Sequence, residues 1–344
     1  MSATAVRTAT AFEMEERRSK ELLRDLQSPS PRIYRADLAA SSLLGWGAFA
    51  EAVRLPFSAA SVACAGVAVL ALYRCLCFLH EISHINRSGL RGFEAAWNAV
   101  VGFPLLMPSF VYVGVHQWHH HARTYGTSQD PEYLPFARSS RMTVLFALES
   151  FLIPAALLIR FLILAPVGLL IPAFHQWLVR HASSLTMNFA YQRESTPEVS
   201  RRIRRGSALI LAGWAAAATL CARGILPCRI FAVWFVTLSM VSFVNTLRTL
   251  AAHKYESEGA PLTRAGQLED SIDVPGHPWT ELWAPVGLRY HALHHYFPGV
   301  PYHNLPEAHR RLTEALAKDS IYRRVSNRGL WRCLANLYRR GSAG

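Results

Sequence analysis

The chain has 344 residues, of which 51% are apolar and only 17% are charged, against about 25% charged in ordinary globular proteins. This composition excludes an ordinary soluble protein and indicates an integral membrane protein with long uncharged stretches. The formal net charge of +13 is typical of basic loops beside membrane spans, so we favour a membrane over a nucleic-acid partner.

The N-terminal region predicts a charged surface helix over residues 11–27, followed by a breaker run at 28–31. It does not have the apolar core of a cleavable signal peptide. We therefore expect the first membrane span to act as the targeting signal, and we assign residues 1–31 to a cytosolic segment. Most cysteines lie in or beside apolar stretches and are interpreted as small hydrophobic residues.

Two apolar stretches, 37–54 and 56–79, predict a first hairpin of spans that turns at Pro56. The next apolar stretch, 99–115, is broken by two prolines and two glycines, which predicts a shallow or re-entrant segment. Residues 142–178 are apolar but are interrupted by three prolines and two charged residues. Interfacial helices and a short hairpin are both compatible with this stretch, and we prefer interfacial helices.

The stretches 206–223 and 229–250 predict a second hairpin of spans, and four arginines between 201 and 205 precede it. The positive-inside rule places this basic block in the cytoplasm. If the spans alternate from a cytoplasmic N-terminus, all histidine clusters fall on the cytoplasmic side. Residues 306–316 and 329–340 predict basic amphipathic helices on the membrane surface.

Histidines are concentrated in three short motifs, His80–His84 (HEISH), His116–His120 (HQWHH) and His291–His295 (HALHH). Residues three and four positions apart share one face of a helix, so each motif presents its imidazoles together. A single HxxxH arises easily by chance in a chain with fifteen histidines, whereas two copies of HxxHH do not. The pair of HxxHH motifs therefore indicates a metal site.

One more histidine directly follows the last predicted span, in the stretch RTLAAH, and we add it to the candidates. Imidazole suits iron, copper, zinc and nickel, so the ligand type leaves the metal open. The nine candidate metal ligands, about the number that two metals need, are His80, His84, His116, His119, His120, His253, His291, His294 and His295. Six others are interpreted as structural: His121, His175, His181, His277, His303 and His309.

Imidazoles that bind metals usually donate their second N–H to a carboxylate or a carbonyl. Three acidic residues are candidates for this supporting role: Glu81, Asp130 in QDPE and Asp270 in QLEDS. A solvated loop position is the alternative interpretation of each.

The sequence as a whole predicts an all-α integral membrane protein. Four transmembrane helices in two hairpins are expected, with a site for two metals on the cytoplasmic side. We assign residues 32–320 to this domain and residues 321–344 to a basic C-terminal tail.

The three motifs together resemble the histidine boxes of the membrane-bound fatty acid desaturases, a di-iron family. The stretches RTLAAHKY and LRYHALHHYFPGVPYHNLPEAHRRL are similar to its bacterial branch. The resemblance implies four spans, a cytosolic cap, two iron ions held by the histidines and O2-dependent removal of hydrogen from an alkyl chain. Some members carry an asparagine one turn before the residue that matches His253, where this chain has Thr249, so one coordination position is left open.

The implied chemistry needs a metal–oxygen oxidant, because no side-chain acid or base removes hydrogen from an unactivated carbon. We therefore expect no catalytic residue beyond the metal ligands. Two electrons per turnover are expected from a separate ferredoxin, rubredoxin or cytochrome b5-type protein, and the substrate is expected to be a lipid or fatty acyl chain from the bilayer.

Three functions are compatible with these features. The first is a fatty acyl desaturase that inserts a double bond, which the stretches RTLAAH and FPGVPYHN favour. The second is a hydroxylase or ketolase of the same superfamily, acting on an alkane, carotenoid, sterol or sphingolipid chain. The third, a non-catalytic membrane metal binder or transporter, is disfavoured because the histidines lie at span ends and not within the spans.

Overall fold

A computed structural model describes residues 3–84, 89–327 and 329–343, with side chains from residue 12 onward. Regular structure in these ranges is helical, and the β contacts there are isolated bridges. The all-α prediction is confirmed. In chain order the helices are α1 (Ala3–Leu22), α2 (Pro31–Arg54), α3 (Ala59–His84), α4 (Phe93–Trp97), α5 (His116–His120), α6 (Ser140–Leu170), α7 (Pro172–His181), α8 (Pro197–Ala222), α9 (Arg229–Leu250), α10 (Arg264–Asp270), α11 (Thr280–Trp283), α12 (His291–Tyr296), α13 (Leu305–Ala315), α14 (Ile321–Arg324) and α15 (Leu330–Ala343).

Four helices in the described part of the chain are long and apolar enough to cross a membrane, namely α3, α6, α8 and α9. Their most apolar windows have mean hydropathies of 2.2, 2.3, 1.3 and 1.9. The number equals that of the predicted spans. The helices themselves differ in one case: the sequence analysis predicted a span at 37–54, in α2, where the structure has α6 instead.

The helix α6 is continuous over 31 residues although prolines lie within it. Pro154 and Pro166 each stand in the first turn of a helical segment, where their missing N–H costs no hydrogen bond. A 3₁₀ turn at Ser150–Leu152 and a π-turn at Ile159–Leu164 join the segments. The sequence analysis treated these prolines as breaks and preferred interfacial helices for this stretch. A helix of 31 residues measures about 46 Å, which exceeds the ~30 Å bilayer core, so α6 is long enough to cross a membrane.

The helix α2 has 24 residues but carries charged side chains at both ends. Its middle packs against α3, where the hydroxyl of Ser42 lies 3.5 Å from the thiol of Cys75. Near its start, Asp37 forms an ion pair of 2.5 Å with Arg74 of α3. The charge of Asp37 is therefore neutralised by a partner within the protein.

The predicted re-entrant stretch, 99–115, is not one straight helix. The helix α4 runs on as a π-turn through Asn98–Gly102, and a 3₁₀ turn follows at Ser109–Val111. The stretch then leads into α5, whose Gln117 amide donates a hydrogen bond of 2.6 Å to the carbonyl of Ser83. This fold-back brings the second histidine motif beside the end of α3.

A separate apolar core joins α1, α10, α12, α13 and α14. In this core α13 buries Leu305, Ala308 and Leu312, and its Arg311 pairs with Asp25 at 2.6 Å. The apolar face of α13, predicted from residues 306–316 to lie on the membrane, is thus covered by the protein.

The turn before α12 depends on a glycine. Gly287 has φ = +72°, and a Cβ there would lie 3.1 Å from the Cα of Tyr302 and 2.6 Å from Leu305. The carboxylate of Glu81 on α3 accepts a hydrogen bond of 3.0 Å from the N–H of Tyr302 and another from the hydroxyl of Tyr34. These contacts fix the segment after α12 against α3 and set the position of the third histidine motif.

Candidate metal centre

The last two turns of α3 carry the first histidine motif into the space between α5 and α12. His80 and His84 lie one helical turn apart, and their ring centroids are 5.2 Å from each other. The ring of His80 lies 4.7 Å from that of His116 and 4.2 Å from that of His294. Imidazoles from all three motifs therefore meet at the end of one long helix.

The two HxxHH motifs divide their imidazoles in complementary ways. On α5, His116 and His120 lie one turn apart and turn towards α3, whereas His119 points to the other side. On α12, His291 and His295 lie with His119, and His294 alone faces α3. The imidazoles thus form two separate groups. Helix α5 contributes two imidazoles to the group that faces α3 and one to the other group, and helix α12 contributes one and two, respectively.

His253 completes the second group. It follows α9 by three residues and is held by an isolated bridge to Ser271, so that its ring lies among those of α5 and α12. The group around α3 contains His80, His84, His116, His120 and His294, and the group around His253 contains His119, His253, His291 and His295. Within each group the nearest nitrogen atoms all lie within 4.8 Å of one another.

The distances between nitrogen atoms are those expected when several imidazoles converge on one metal ion. The Nε2 atom of His253 lies 2.8 Å from that of His291 and 3.2 Å from that of His119. The Nε2 atom of His294 lies 3.1 Å from that of His84 and 3.2 Å from that of His120. Neighbouring ligands of an octahedral ion are about 3.0 Å apart when the metal–nitrogen bonds are about 2.1 Å, so both groups could hold a cation.

Unsatisfied ring nitrogens support the same interpretation. Both ring nitrogens of His80 are buried without a hydrogen-bond partner among the residues that the structure describes. A buried polar atom without a partner costs free energy, which a bound cation would remove. Burial and neighbouring histidines also lower the pKa of six of the other imidazoles, which keeps these six neutral as metal ligands must be: His116, His120, His253, His291, His294 and His295.

Asp130, a predicted supporting residue, lies directly behind the second group. Both of its carboxylate oxygens are 3.0 Å from Nδ1 of His119. Burial opposes protonation of His119, yet the adjacent carboxylate raises its pKa. The N–H groups of Gly126 and Glu132 donate to Asp130 and hold it in place. An Nδ1–H directed at Asp130 leaves Nε2 of His119 free to face the group.

Asp270, the second predicted supporting residue, acts on His253 through a tyrosine. The hydroxyl of Tyr125 lies 2.8 Å from Nδ1 of His253 and donates a hydrogen bond of 2.8 Å to Asp270. The hydroxyl of Tyr133 donates a second bond to the same carboxylate at 3.2 Å. Glu81, the third predicted residue, instead binds Tyr34 and Tyr302 as described for the fold.

The structure brings in a carboxylate that the sequence interpretation did not select. Glu132 lies 2.7 Å from Nδ1 of His116 and accepts a hydrogen bond of 3.0 Å from the hydroxyl of Tyr112. Burial raises the pKa of Glu132 to about 7. Glu132 stands two residues after Asp130 in the same QDPE motif. This proximity to a selected carboxylate was the feature of the sequence that could have identified it.

A cavity of about 20 Å³ lies between the two imidazole groups, which is room for about one water molecule. Thr249, which stands one turn before His253, lines this cavity together with Arg248. Asn245 lies one turn earlier and accepts a hydrogen bond of 3.0 Å from Arg248. The group of four imidazoles therefore borders the open space next to Thr249.

The six histidines interpreted as structural lie outside both groups. Two examples show their roles, since His175 contacts Ser200 at 3.0 Å and His303 accepts a hydrogen bond of 3.0 Å from the N–H of Ser30. Both contacts join elements of the fold.

Comparison with known proteins gives two matches. The family model described as "Fatty acid desaturase" matches residues 57–327, which include all nine candidate histidines. The chain is also 39% identical over 327 residues to the ceramide hydroxylase of Caulobacter vibrioides (strain NA1000 / CB15N), with 94% of this chain and 93% of that protein aligned.

Proposed function

The chain belongs to the fatty acid desaturase family, and we propose that it is the hydroxylase type of this family, an O2-dependent enzyme that hydroxylates a ceramide-like lipid. The observation that carries the choice is the 39% identity to a ceramide hydroxylase across nearly the whole length of both chains. The sequence motifs alone favoured desaturation, so the comparison reverses the order of the two alternatives.

The histidines do not indicate which of the two reactions takes place, because both reactions begin with loss of hydrogen from an unactivated carbon. Hydroxylation converts R–H, O2, two electrons and two protons into R–OH and water. Desaturation converts two adjacent C–H bonds into a double bond and reduces O2 to two waters with the same two electrons and two protons. The reactions differ in the product, and the product is what an experiment must identify.

The nine histidines are proposed to hold two iron ions, five imidazoles at one and four at the other. Iron would supply the redox chemistry with O2 that no side chain can perform. The residues of the chain have defined tasks: burial favours the neutral form of most of the imidazoles, and Asp130, Glu132 and the Tyr125–Asp270 pair orient three of the rings from behind.

The remaining parts of the proposal concern partners and location. The substrate is proposed to reach the centre from the bilayer, because the imidazoles lie where α3 and α9 end. The two electrons are proposed to come from a separate ferredoxin, rubredoxin or cytochrome b5-type protein. The centre is proposed to lie on the cytoplasmic face, which the arginine block before α8 supports under the positive-inside rule.

Lipid analysis tests this proposal. The full chain is expressed in a host that makes ceramide and also ordinary fatty acids, and lipids are analysed by mass spectrometry. A ceramide species that gains one oxygen atom supports the proposal. A species that loses two hydrogens instead, in ceramide or in fatty acids, would support the desaturase alternative.

Two variants make the assay specific to the centre. His294→Ala removes an imidazole that lies in close contact with both His84 and His120, and product is expected to disappear. His181→Ala changes a histidine outside both groups and is expected to keep the activity. Metal bound without any lipid product under conditions that supply electrons would favour the third alternative, a non-catalytic metal binder.

A further inference from the structure

The C-terminal helix α15 has three distinct faces. Its inner face consists of Cys333, Leu337 and Gly341, which are buried. A Cβ at position 341 would lie 2.5 Å from the backbone nitrogen of Ser140, so the helix approaches the start of α6 as closely as a glycine permits. This face fixes α15 to the protein.

The neighbours of α15 show at which level it lies. Leu337 shares a core with Leu250, the last residue of α9, and with Met142 in the first turn of α6. Arg340 donates a hydrogen bond of 3.1 Å to the carbonyl of Lys254, four residues beyond α9. Since α6 begins and α9 ends here, α15 lies at the ends of two helices that are long and apolar enough to cross a membrane.

The second face of α15 is an exposed aromatic stripe. Trp331 and Tyr338 are 75% and 51% exposed, and exposed Ala335 lies between them. Residues separated by three, four or seven positions fall on one side of a helix. Trp and Tyr are enriched at the interface between membrane and water, where an apolar ring and a polar atom are both accommodated.

The third face is cationic. Arg332 and Arg339 are exposed, seven residues apart, and lie next to the aromatic stripe. The sequence of α15 contains no acidic residue. Guanidinium groups at this level would meet lipid phosphates, and anionic lipids attract basic residues near the membrane surface.

A third exposed aromatic side chain lies on the neighbouring element. Trp279, just before α11, is 69% exposed. The last residue of α11, Trp283, packs on the same small core as Cys333 and Leu330 of α15. The side chain of Glu281 on α11 lies 3.4 Å from Arg74, the residue that pairs with Asp37 at the polar start of α2. The elements that carry the two exposed tryptophans therefore meet at one small core.

We propose that α15, with Trp279 beside it, is an interfacial anchor that lies in the headgroup region of the bilayer and binds anionic phospholipids through Arg332 and Arg339. The anchor holds the ends of α6 and α9 at a constant depth. Because His253 follows α9 by three residues, the anchor also sets the height of the imidazole groups above the membrane. A partner of a different class, an acidic electron-donor protein, would need this surface to face water.

A pair of alanine positions tests the location of the surface. Ala335 lies on the aromatic stripe, and Ala317 is exposed between α13 and α14. In a Cys228→Ser parent, Ala335→Cys and Ala317→Cys are each labelled with a fluorophore, and the full-length protein is placed in lipid nanodiscs. Nitroxide-labelled lipid is expected to quench the label at 335 several-fold more than that at 317, and a water-soluble quencher is expected to do the reverse.

Equal access of the water-soluble quencher to both positions would overturn the proposal and would favour a protein partner. The labelled parent gives the background from the remaining cysteines. The charged face is tested by Arg332→Gln with Arg339→Gln in the 335-labelled protein. Lipid quenching is expected to rise when anionic phosphatidylglycerol replaces neutral phosphatidylcholine, and the double variant is expected to lose that rise; a rise that persists in the variant would contradict the role of the arginines.

Discussion

Both carboxylate oxygens of Asp130 lie 3.0 Å from Nδ1 of His119, in a site where both side chains are buried. The contact fixes which ring nitrogen of His119 carries the proton, and it leaves Nε2 directed at His253, 3.2 Å away. A carboxylate behind an imidazole also makes that imidazole a stronger ligand. The four-imidazole group thus depends on a residue that touches none of its converging nitrogens.

Asp130→Asn keeps the size of the side chain and removes its charge. We expect metal affinity at the four-imidazole group to fall about 10- to 100-fold, because His119 loses its orienting carboxylate. The measurement is metal content per chain by mass spectrometry during titration with a chelator. Asp319→Asn, a change of the same kind at an exposed position between α13 and α14, is the control; equal metal retention in both variants would contradict the supporting role.

Glu132→Gln tests the carboxylate that sequence reasoning did not select. Glu132 contacts His116 at 2.7 Å, so the five-imidazole group is expected to bind metal more weakly while the four-imidazole group is unchanged. Stepwise chelation should then release one metal per chain earlier than the other. Glu258→Gln, at a residue whose side chain is 89% exposed, should leave both steps as in the unaltered protein. Simultaneous loss of both metals in Glu132→Gln would show that the residue supports the whole fold.

The division into five and four imidazoles predicts unequal effects of single histidine changes. His253→Ala leaves three imidazoles in its group, whereas His84→Ala leaves four in the other. We therefore expect the purified His253→Ala protein to retain about one metal per chain and His84→Ala to retain more, because ligand number sets the affinity of each group. Elemental analysis against protein concentration measures this. Retention of two metals by both variants would mean that the groups are divided differently.

Gly287→Ala tests the turn that positions α12. The added Cβ would meet the Cα of Tyr302 at 3.1 Å, and the residue would have to keep φ = +72°. Strain of this kind costs about 1–3 kcal/mol, so the thermal unfolding temperature in detergent is expected to fall. Gly299→Ala is the matched control, because nothing lies within 4 Å of its Cβ position and its φ is not positive. Equal unfolding temperatures for both variants would contradict the requirement for glycine at 287.

The prolines of α6 show why membrane segments were hard to assign from sequence. A proline breaks a helix in its interior but is tolerated in the first turn of a helical segment. Whether Pro154 lies in an interior or in a first turn depends on the 3₁₀ turn before it, which no local pattern indicates. For α2 the sequence analysis predicted a span at 37–54, whereas α2 is not among the four described helices that are apolar enough to cross a membrane. Its Asp37 is paired with Arg74 of α3, a contact that the local sequence does not indicate.

The sequence by itself determined which histidines belong together as motifs, since spacing along one helix decides which imidazoles share a face. It also placed Asp130 among the candidates and indicated an all-α membrane protein. Only the tertiary structure decided that His119 joins His253 while its neighbour His120 joins His84, because that choice depends on how α5 is rotated between α3 and α12. The same applies to Glu132 and Tyr125: contacts between distant segments arise from packing, and spacing within a segment does not record them.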